Sequence, residues 1–333
     1  MLLWLGFLVC TSVIFYSGTK LSKYGDIIAE KTGIGRTWVG VVLMASVTSL
    51  PELVTGISSV TYARVPDIAV GDVLGSCVFN MLILAFLDAL HQPMPLSAKA
   101  HHGHVLSASF GIFLLGIAAT SLFLGNRLQS MGWIGPYSLL FIVIYFIAMK
   151  LIFSYEKRRI SAFVKEKAIE LRYKEISTKT AIVNYSINAI VVVIAAAFLP
   201  TIGEEIAETT GLGQTFVGNI FIALSTSLPE IVVSMSAVKI DAIDLAIGNL
   251  FGSNIFNIFI LAIDDIFFVK GPLLVYVNPN HIIAALSAIA MTTIAIIGLT
   301  YRAEKKKLFL AWDSICILLV YIVNLMLLYM LRS

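Results

Sequence analysis

Residues 25–59, GDIIAEKTGIGRTWVGVVLMASVTSLPELVTGISS, recur without a gap at residues 203–237 as GEEIAETTGLGQTFVGNIFIALSTSLPEIVVSMSA, with 18 of 35 positions identical. A second pair follows: PDIAVGDVLGSCVFNMLILAFLDAL from Pro66 matches IDLAIGNLFGSNIFNIFILAIDDIF from Ile243 at 11 of 25 positions. Each copy lies among apolar runs of membrane-spanning length, and five such runs fall in each half. An odd number of crossings forces the second half through the bilayer in the opposite sense from the first. Few architectures satisfy this: two homologous halves of opposite orientation meet near the midplane and build one site from interrupted helices. Duplicated helices can also do no more than bury each other. Here, however, the best-matched residues are Thr, Ser, Pro, Glu and Asn, and polar residues placed in lipid mark a site.

The ten runs are 1–19, 38–61, 67–90, 105–125, 132–154, 181–200, 214–239, 243–268, 280–300 and 309–331. Most hold the roughly 20 residues a helix needs to cross a hydrocarbon core of about 30 Å. With 59% hydrophobic and 13% charged residues over 333 positions, the composition is that of a membrane protein. The runs are continuously apolar and lack the two-residue alternation of barrel strands. The expected fold is an all-α integral membrane protein: ten transmembrane helices in two inverted five-helix repeats, residues 1–154 and 181–333, joined by a cytoplasmic linker at 155–180. The first run lacks a basic leader and a small-residue cleavage site, so it reads as a span and not as a signal peptide.

Loops after the odd-numbered runs hold 19 Lys and Arg, against four on the other side (Arg64, Arg127, Lys270 and Arg332). Basic residues concentrate in cytoplasmic loops, which puts the linker inside a multi-pass protein of the cell membrane and both termini outside. The linker segment EKRRISAFVKEKAIELRYKEISTKT interleaves acids with bases and reads as a solvated connector, with no nucleic-acid partner. Cys10, Cys77 and Cys316 fall inside apolar runs without metal or redox spacing and read as packing residues. The lipid bilayer is the expected surrounding; no cofactor and no obligate protein partner is indicated.

The chemistry sits in the repeated TSLPE, residues 48–52 and 226–230. A proline inside a helix removes a donor and crowds the carbonyl four residues back, so Pro51 and Pro229 should loosen their helices. Freed carbonyls at mid-membrane need protein, water or a cation. Glu52 and Glu230 lie near the centres of their runs, where an uncompensated charge costs several kcal/mol. Thr48 and Ser49 lie four and three residues before Glu52, and Thr226 and Ser227 repeat this before Glu230. Ser76 with Asn80, and Ser253 with Asn257, are again four apart and share a helix face. The set is all oxygen, which suits Ca2+ or Na+ and not zinc or copper; Mg2+ prefers a tighter octahedron. Two glutamates balance one divalent ion, and they can take protons when the metal leaves, so exchange of Ca2+ for Na+ or for H+ is open. The midplane carboxylates alone do not exclude a channel. An enzyme is not expected: two glutamates can do acid/base work, but there is no HExxH and no convincing Ser/Lys pair.

These residues resemble a known family. The twin TSLPE segments, each followed by G-[DN]-x-x-G-S-x-x-F-N, look like the alpha repeats of the calcium/cation antiporter superfamily, most closely its sodium/calcium exchangers. The resemblance is strong in the two repeats and slight in the loops and in runs 4, 5, 9 and 10. It implies secondary antiport of Ca2+ or a related divalent cation against Na+ by alternating access, with runs 1 and 6 sliding across a fixed core. It implies Glu52 and Glu230 as central cation ligands, with Thr48, Ser49, Thr226 and Ser227 at the neighbouring hydroxyl and carbonyl positions. Ser76, Ser253, Asn80 and Asn257 fall at the positions on runs 3 and 8. Three features depart from the pattern. Asn257 stands where prokaryotic sodium/calcium exchangers usually carry aspartate, as in the proton/calcium branch. Val47 and Ser225 replace the glycine before each TSLPE, and Cys77 replaces the asparagine found at Asn254.

Other polar residues have plainer readings. Asp67 and Asp244 should cap helix starts. Asp72, Asp88 and Asp265 read as solvated helix-end acids, and Glu204, Glu205 and Glu208 as an outer interfacial group. HQPMPLSAKAHHGH should be a turn with exposed imidazoles. Gly71, Gly75, Gly248 and Gly252 suggest close helix contact.

Overall fold

The computed structural model describes residues 2–127, 130–166, 173, 175–210, 226–306 and 309–331. Its longer helices are α1 (Leu2–Thr32), α2 (Arg36–Ala63), α3 (Pro66–Leu90), α4 (Gly103–Leu124), α5 (Pro136–Glu166), α6 (Thr178–Thr210), α7 (Leu228–Lys239), α8 (Ile243–Phe267), α9 (His281–Tyr301) and α10 (Trp312–Met330). Among the described residues nine are long and apolar enough to cross a membrane. The tenth, α7, is the described part of the run at 214–239, and positions 214–225 of that run lie outside the described residues. The fold is thus the all-α bundle of two five-helix repeats that the duplication implies.

Three helices outrun their apolar windows. α1 continues to Thr32, α5 continues to Glu166 inside the expected linker, and α6 runs from Thr178 to Thr210 through the acidic stretch. A hydropathy window ends where lipid ends, but the helix need not. The extension of α1 keeps a buried stripe of Leu21, Ile27, Ile28 and Ala29 while Lys23 stays exposed. Its Asp26 is fully buried, bonded to Arg36 Nε at 2.5 Å and to the Tyr173 hydroxyl at 3.0 Å.

The apolar windows of α3 and α8 are 72% and 83% buried, against 50% or less for the other seven spans, so these two helices form the centre. α8 meets the first half of α2 backbone to backbone. A Cβ on Gly40 would stand 2.6 Å from the Leu245 carbonyl, and one on Gly248 would stand 2.9 Å from that of Thr37. α1 and α6 lie side by side along much of their length, α1 also packing on α7. Apolar side chains such as Phe15, Phe146, Ile190 and Met326 are exposed on the outside, as lipid-facing residues should be.

The inverted relation extends to individual hydrogen bonds at the helix ends. Asp67 at the start of α3 accepts from Asn278 N at 2.7 Å and pairs with His281 Nε2 at 3.0 Å. Asp244 at the start of α8 accepts from His101 N at 2.8 Å and pairs with His104 Nε2 at 3.0 Å. Each brace ties one half to the other, a role beyond the helix-start cap expected of these acids. At the opposite ends Asp88 accepts from Leu96 N and Ala311 N, both at 2.8 Å. Asp265 accepts from Leu273 N at 2.6 Å and Gly135 N at 2.8 Å. These acids are therefore buried loop anchors, not solvated ends. His104 is fully buried, so the expectation of a plain turn with exposed imidazoles fails for it.

A candidate cation site between the inverted halves

Each TSLPE is interrupted at its serine. Ser49 (φ −93°, ψ 9°) and Ser227 (φ −82°, ψ 5°) leave the helical region, and Pro51 and Pro229 follow in the first turn of the next helical piece. Proline there gives up only a donor that a helix start does not use. Its missing N–H leaves the Val47 carbonyl without its usual intrahelical partner. Wider, π-type turns at Val39–Met44 and Ser59–Ala63 flank the break in α2, so the helix is irregular on both sides of it.

All ten residues singled out by sequence are buried: Thr48, Ser49, Glu52, Ser76, Asn80, Thr226, Ser227, Glu230, Ser253 and Asn257. Hydroxyls of one half bond to groups of the other. Ser49 donates to Glu230 Oε1 at 3.1 Å, and Ser253 reaches the same oxygen at 3.4 Å. Ser76 donates to Glu52 Oε1 at 3.3 Å and lies 3.4 Å from the Ser227 hydroxyl. Thr48 contacts Ser253 Oγ at 3.4 Å and donates to Asn249 Oδ1 at 3.2 Å. Thr226 donates to Asp72 Oδ1 at 3.1 Å. Asn80 Nδ2 donates to Asn254 Oδ1 at 3.0 Å, and Asn254 Nδ2 donates to the Cys77 carbonyl at 3.2 Å.

Eight of the ten site groups therefore join the opposite half through a named bond; Glu52 is held by Ser76 of its own half, and Asn257 stands apart. Both atoms of its amide lack a hydrogen-bond partner among the described residues, as do Glu52 Oε2, Glu230 Oε2 and Asn80 Oδ1. Roughly 90% or more of buried polar groups in folded proteins are satisfied, and each one left bare costs about 1–3 kcal/mol. Four bare oxygens from four of the ten residues, against one bare donor at Asn257 Nδ2, leave acceptors in excess. The Glu52 carboxylate senses the charge of Glu230, and among the described residues no Lys, Arg or His pairs with either. A hard cation answers both needs at once. No group of three or more His, Cys, Asp or Glu with metal-holding geometry exists among the described residues; the donors here are two carboxylates eked out by hydroxyls, amides and carbonyls.

Sequence reasoning underweighted Asp72, Asn249 and Asn254. Asp72 and Asn249 each lie one turn before the serine of their helix, at aligned positions, and each receives the threonine of the opposite TSLPE. That alignment was the available signal.

Two inverted five-helix halves, with helices interrupted at a buried all-oxygen site, define a secondary transporter for cations. The chain belongs to the sodium/calcium exchanger family: the model of the sodium/calcium exchanger protein family matches residues 2–154 and 181–330. Among curated relatives, the inner membrane protein YrbG of Escherichia coli K12 is 28% identical over 255 residues, 75% of this chain and 74% of its own. The sodium/calcium exchanger MaX1 of Methanosarcina acetivorans is 27% identical over 343 residues, 92% of this chain and 93% of its own. In fold the chain is similar to the solved structure of the sodium-calcium exchanger NCX_Mj soaked with 2.5 mM Na+ and 0.1 mM Ca2+. That match has a TM-score of 0.73 at 20% identity, over 98% of both chains.

Proposed function

We propose that this protein is a secondary antiporter that exchanges Ca2+, or a related divalent cation, for Na+ by alternating access, with both ions as substrates and no cofactor. The observation that carries the reading is the crossed pair of glutamates. Glu52 and Glu230 come from oppositely oriented halves, each is buried, and each takes a serine hydroxyl on one oxygen while its other oxygen is bare. Two such carboxylates balance one divalent ion, and the surrounding hydroxyls and amides supply the remaining neutral ligands that Ca2+ takes in a set of six to eight. Thr48, Ser49, Thr226, Ser227, Ser76, Ser253, Asn80 and Asn257 are assigned to line that site. The crossed hydrogen bonds make it depend on how the halves meet, which is what an alternating-access site requires. α1 and α6, paired with each other at the side of the central helices, are the elements assigned to slide.

Charge asymmetry of the loops supports a protein whose linker at 155–180 is cytoplasmic and whose termini are extracellular. The lipid bilayer and the two ions are its partners in this reading, with no obligate protein subunit. The deciding measurement is Ca2+ flux into proteoliposomes driven by a Na+ gradient, compared with a pH gradient at equal voltage. Na+-driven flux that disappears in the Glu52→Gln, Glu230→Gln double variant is expected. Flux driven only by the pH gradient would replace Na+ by H+ as the coupling ion, and wild-type flux in the double variant would remove the site.

A further inference from the structure

The inverted symmetry fails at one level of the core, one helical turn outside the central glutamates. Gly56 follows Glu52 by four residues and shares its face of α2, about 6 Å further along the axis. Asp72 precedes Ser76 by four on α3, and Asp264 follows Asn257 by seven, two turns, on α8. With Arg36 at the cytoplasmic end of α2, all three steps lead towards the side that the loop charges assign to the exterior.

The equivalents in the other half, by the repeat alignment, are Ser234, Asn249 and Leu87. On that inner side the level is neutral and closed. Asn249 Nδ2 donates to Ser234 Oγ at 3.0 Å while Asn249 Oδ1 accepts from Thr48 at 3.2 Å.

The outer level holds carboxylates in place of these groups. Asp264 is fully buried, and neither of its oxygens has a hydrogen-bond partner among the described residues. Its carboxylate presses on α2 at Gly56: a Cβ there would meet Oδ2, stand 2.6 Å from Oδ1 and 2.8 Å from Cγ, and so would have to displace Asp264. Asp72 takes the Thr226 hydroxyl on Oδ1 and leaves Oδ2 bare. The charges acting on Asp264 are Asp72 and then Asp265, and Asp72 in turn acts on Glu52. Asp265 is already engaged by Gly135 N, Leu273 N, Tyr137 and Ser138. Among the described residues no basic side chain pairs with Asp72 or Asp264. Three bare oxygens on carboxylates buried in a helical core carry a desolvation cost that a bound cation offsets.

We propose that Asp72 and Asp264, beside Gly56, form a second, outer site for Ca2+, which receives the ion between the extracellular side and the Glu52–Glu230 centre. Two carboxylates and the Thr226 hydroxyl match the hard-oxygen chemistry of Ca2+. Because Thr226 belongs to the second TSLPE, the outer site shares an element with the centre. Among the described residues the inner side has no equivalent, so at this level the two access paths differ in charge. This inference rests on the antiport reading above.

The test is equilibrium binding of radioactive Ca2+ to the purified full chain without Na+, for wild type, Asp264→Asn, Asp264→Leu and Glu230→Gln. Wild type is expected to bind two ions of unequal affinity. Both Asp264 variants should keep the tight ion and lose the weak one, the leucine being what the other half carries at this level. Glu230→Gln should lose the tight one. In vesicles of known orientation, Asp264→Asn should raise the external half-saturating Ca2+ concentration roughly tenfold, the loss of about 1.4 kcal/mol, and leave the internal one unchanged. A single bound ion in wild type, wild-type binding in both Asp264 variants, or an equal change on both sides would overturn the outer site. Wild-type protein that binds no Ca2+ at all would instead overturn the antiport reading.

Discussion

Exchanging Glu230 for glutamine removes one of the two central charges and keeps the shape of the side chain. Oε1 accepts hydroxyls from Ser49 and Ser253, and a glutamine carbonyl can keep both. What is lost is the bare, charged Oε2. Removing one partner of a buried ion pair costs about 3–5 kcal/mol. At about 1.4 kcal/mol per tenfold, Ca2+ affinity should fall by roughly two to three and a half orders of magnitude. Ligand linkage makes this visible in a melting experiment. Ca2+ at about 100 times its dissociation constant adds about 2.7 kcal/mol to wild-type stability, whereas after a roughly 300-fold loss of affinity the same concentration adds only about 0.2 kcal/mol. Without Ca2+ the order changes, because glutamine relieves an unpaired charge, and the variant should melt no lower than wild type. The assay is thermal unfolding of purified protein with and without Ca2+ in Na+-free buffer. A variant that keeps the full Ca2+-dependent rise would refute the assignment of Glu230. One that melts lower without Ca2+ would refute the claim that its charge is unpaired.

Three further outcomes follow from the geometry. Ser49→Ala deletes a cross-half donor to a charged acceptor, worth about 1.5–3 kcal/mol, and should raise the half-saturating Ca2+ concentration in flux assays by roughly ten- to a hundredfold. Gly40→Val drives a side chain into the Leu245 carbonyl of α8; overpacking of about 1–3 kcal/mol should lower the melting temperature and the yield of monodisperse protein. Asp244→Asn weakens the brace to His104 and His101 N, and should destabilise the fold by about 1–2 kcal/mol while the Ca2+ dependence of flux, measured on the folded fraction, stays as in wild type.

The architecture was legible because the duplication and the odd span count leave little freedom. The candidate site stood out because proline and glutamate have so few reasons to sit in lipid together, and the structure shows its ten residues buried. Helix ends were harder to read: nothing in hydropathy says that α1 should continue past its apolar window to Thr32, since its last turns are held by Asp26 with Arg36 and by a narrow buried stripe. His104 is invisible for a similar reason. A histidine in a Pro- and Gly-rich turn looks solvated until an aspartate from the other half, 140 residues away, is placed against it. The roles of Asp72 and Asn249 were also hidden, because an acid or amide a turn inside a helix start reads as solvated unless the facing threonine is known.

Those two mirrored Asp–His braces bear on how the chain is made. During synthesis α4 and its His104 are in the membrane long before Asp244 exists, and Asp67 must wait still longer for His281. The first half thus enters the bilayer with two polar groups, the buried His104 and the half-buried Asp67, whose partners have yet to be translated. Both braces close only when α8 brings Asp244 and α9 brings His281, so the packing of the first repeat is completed by the second.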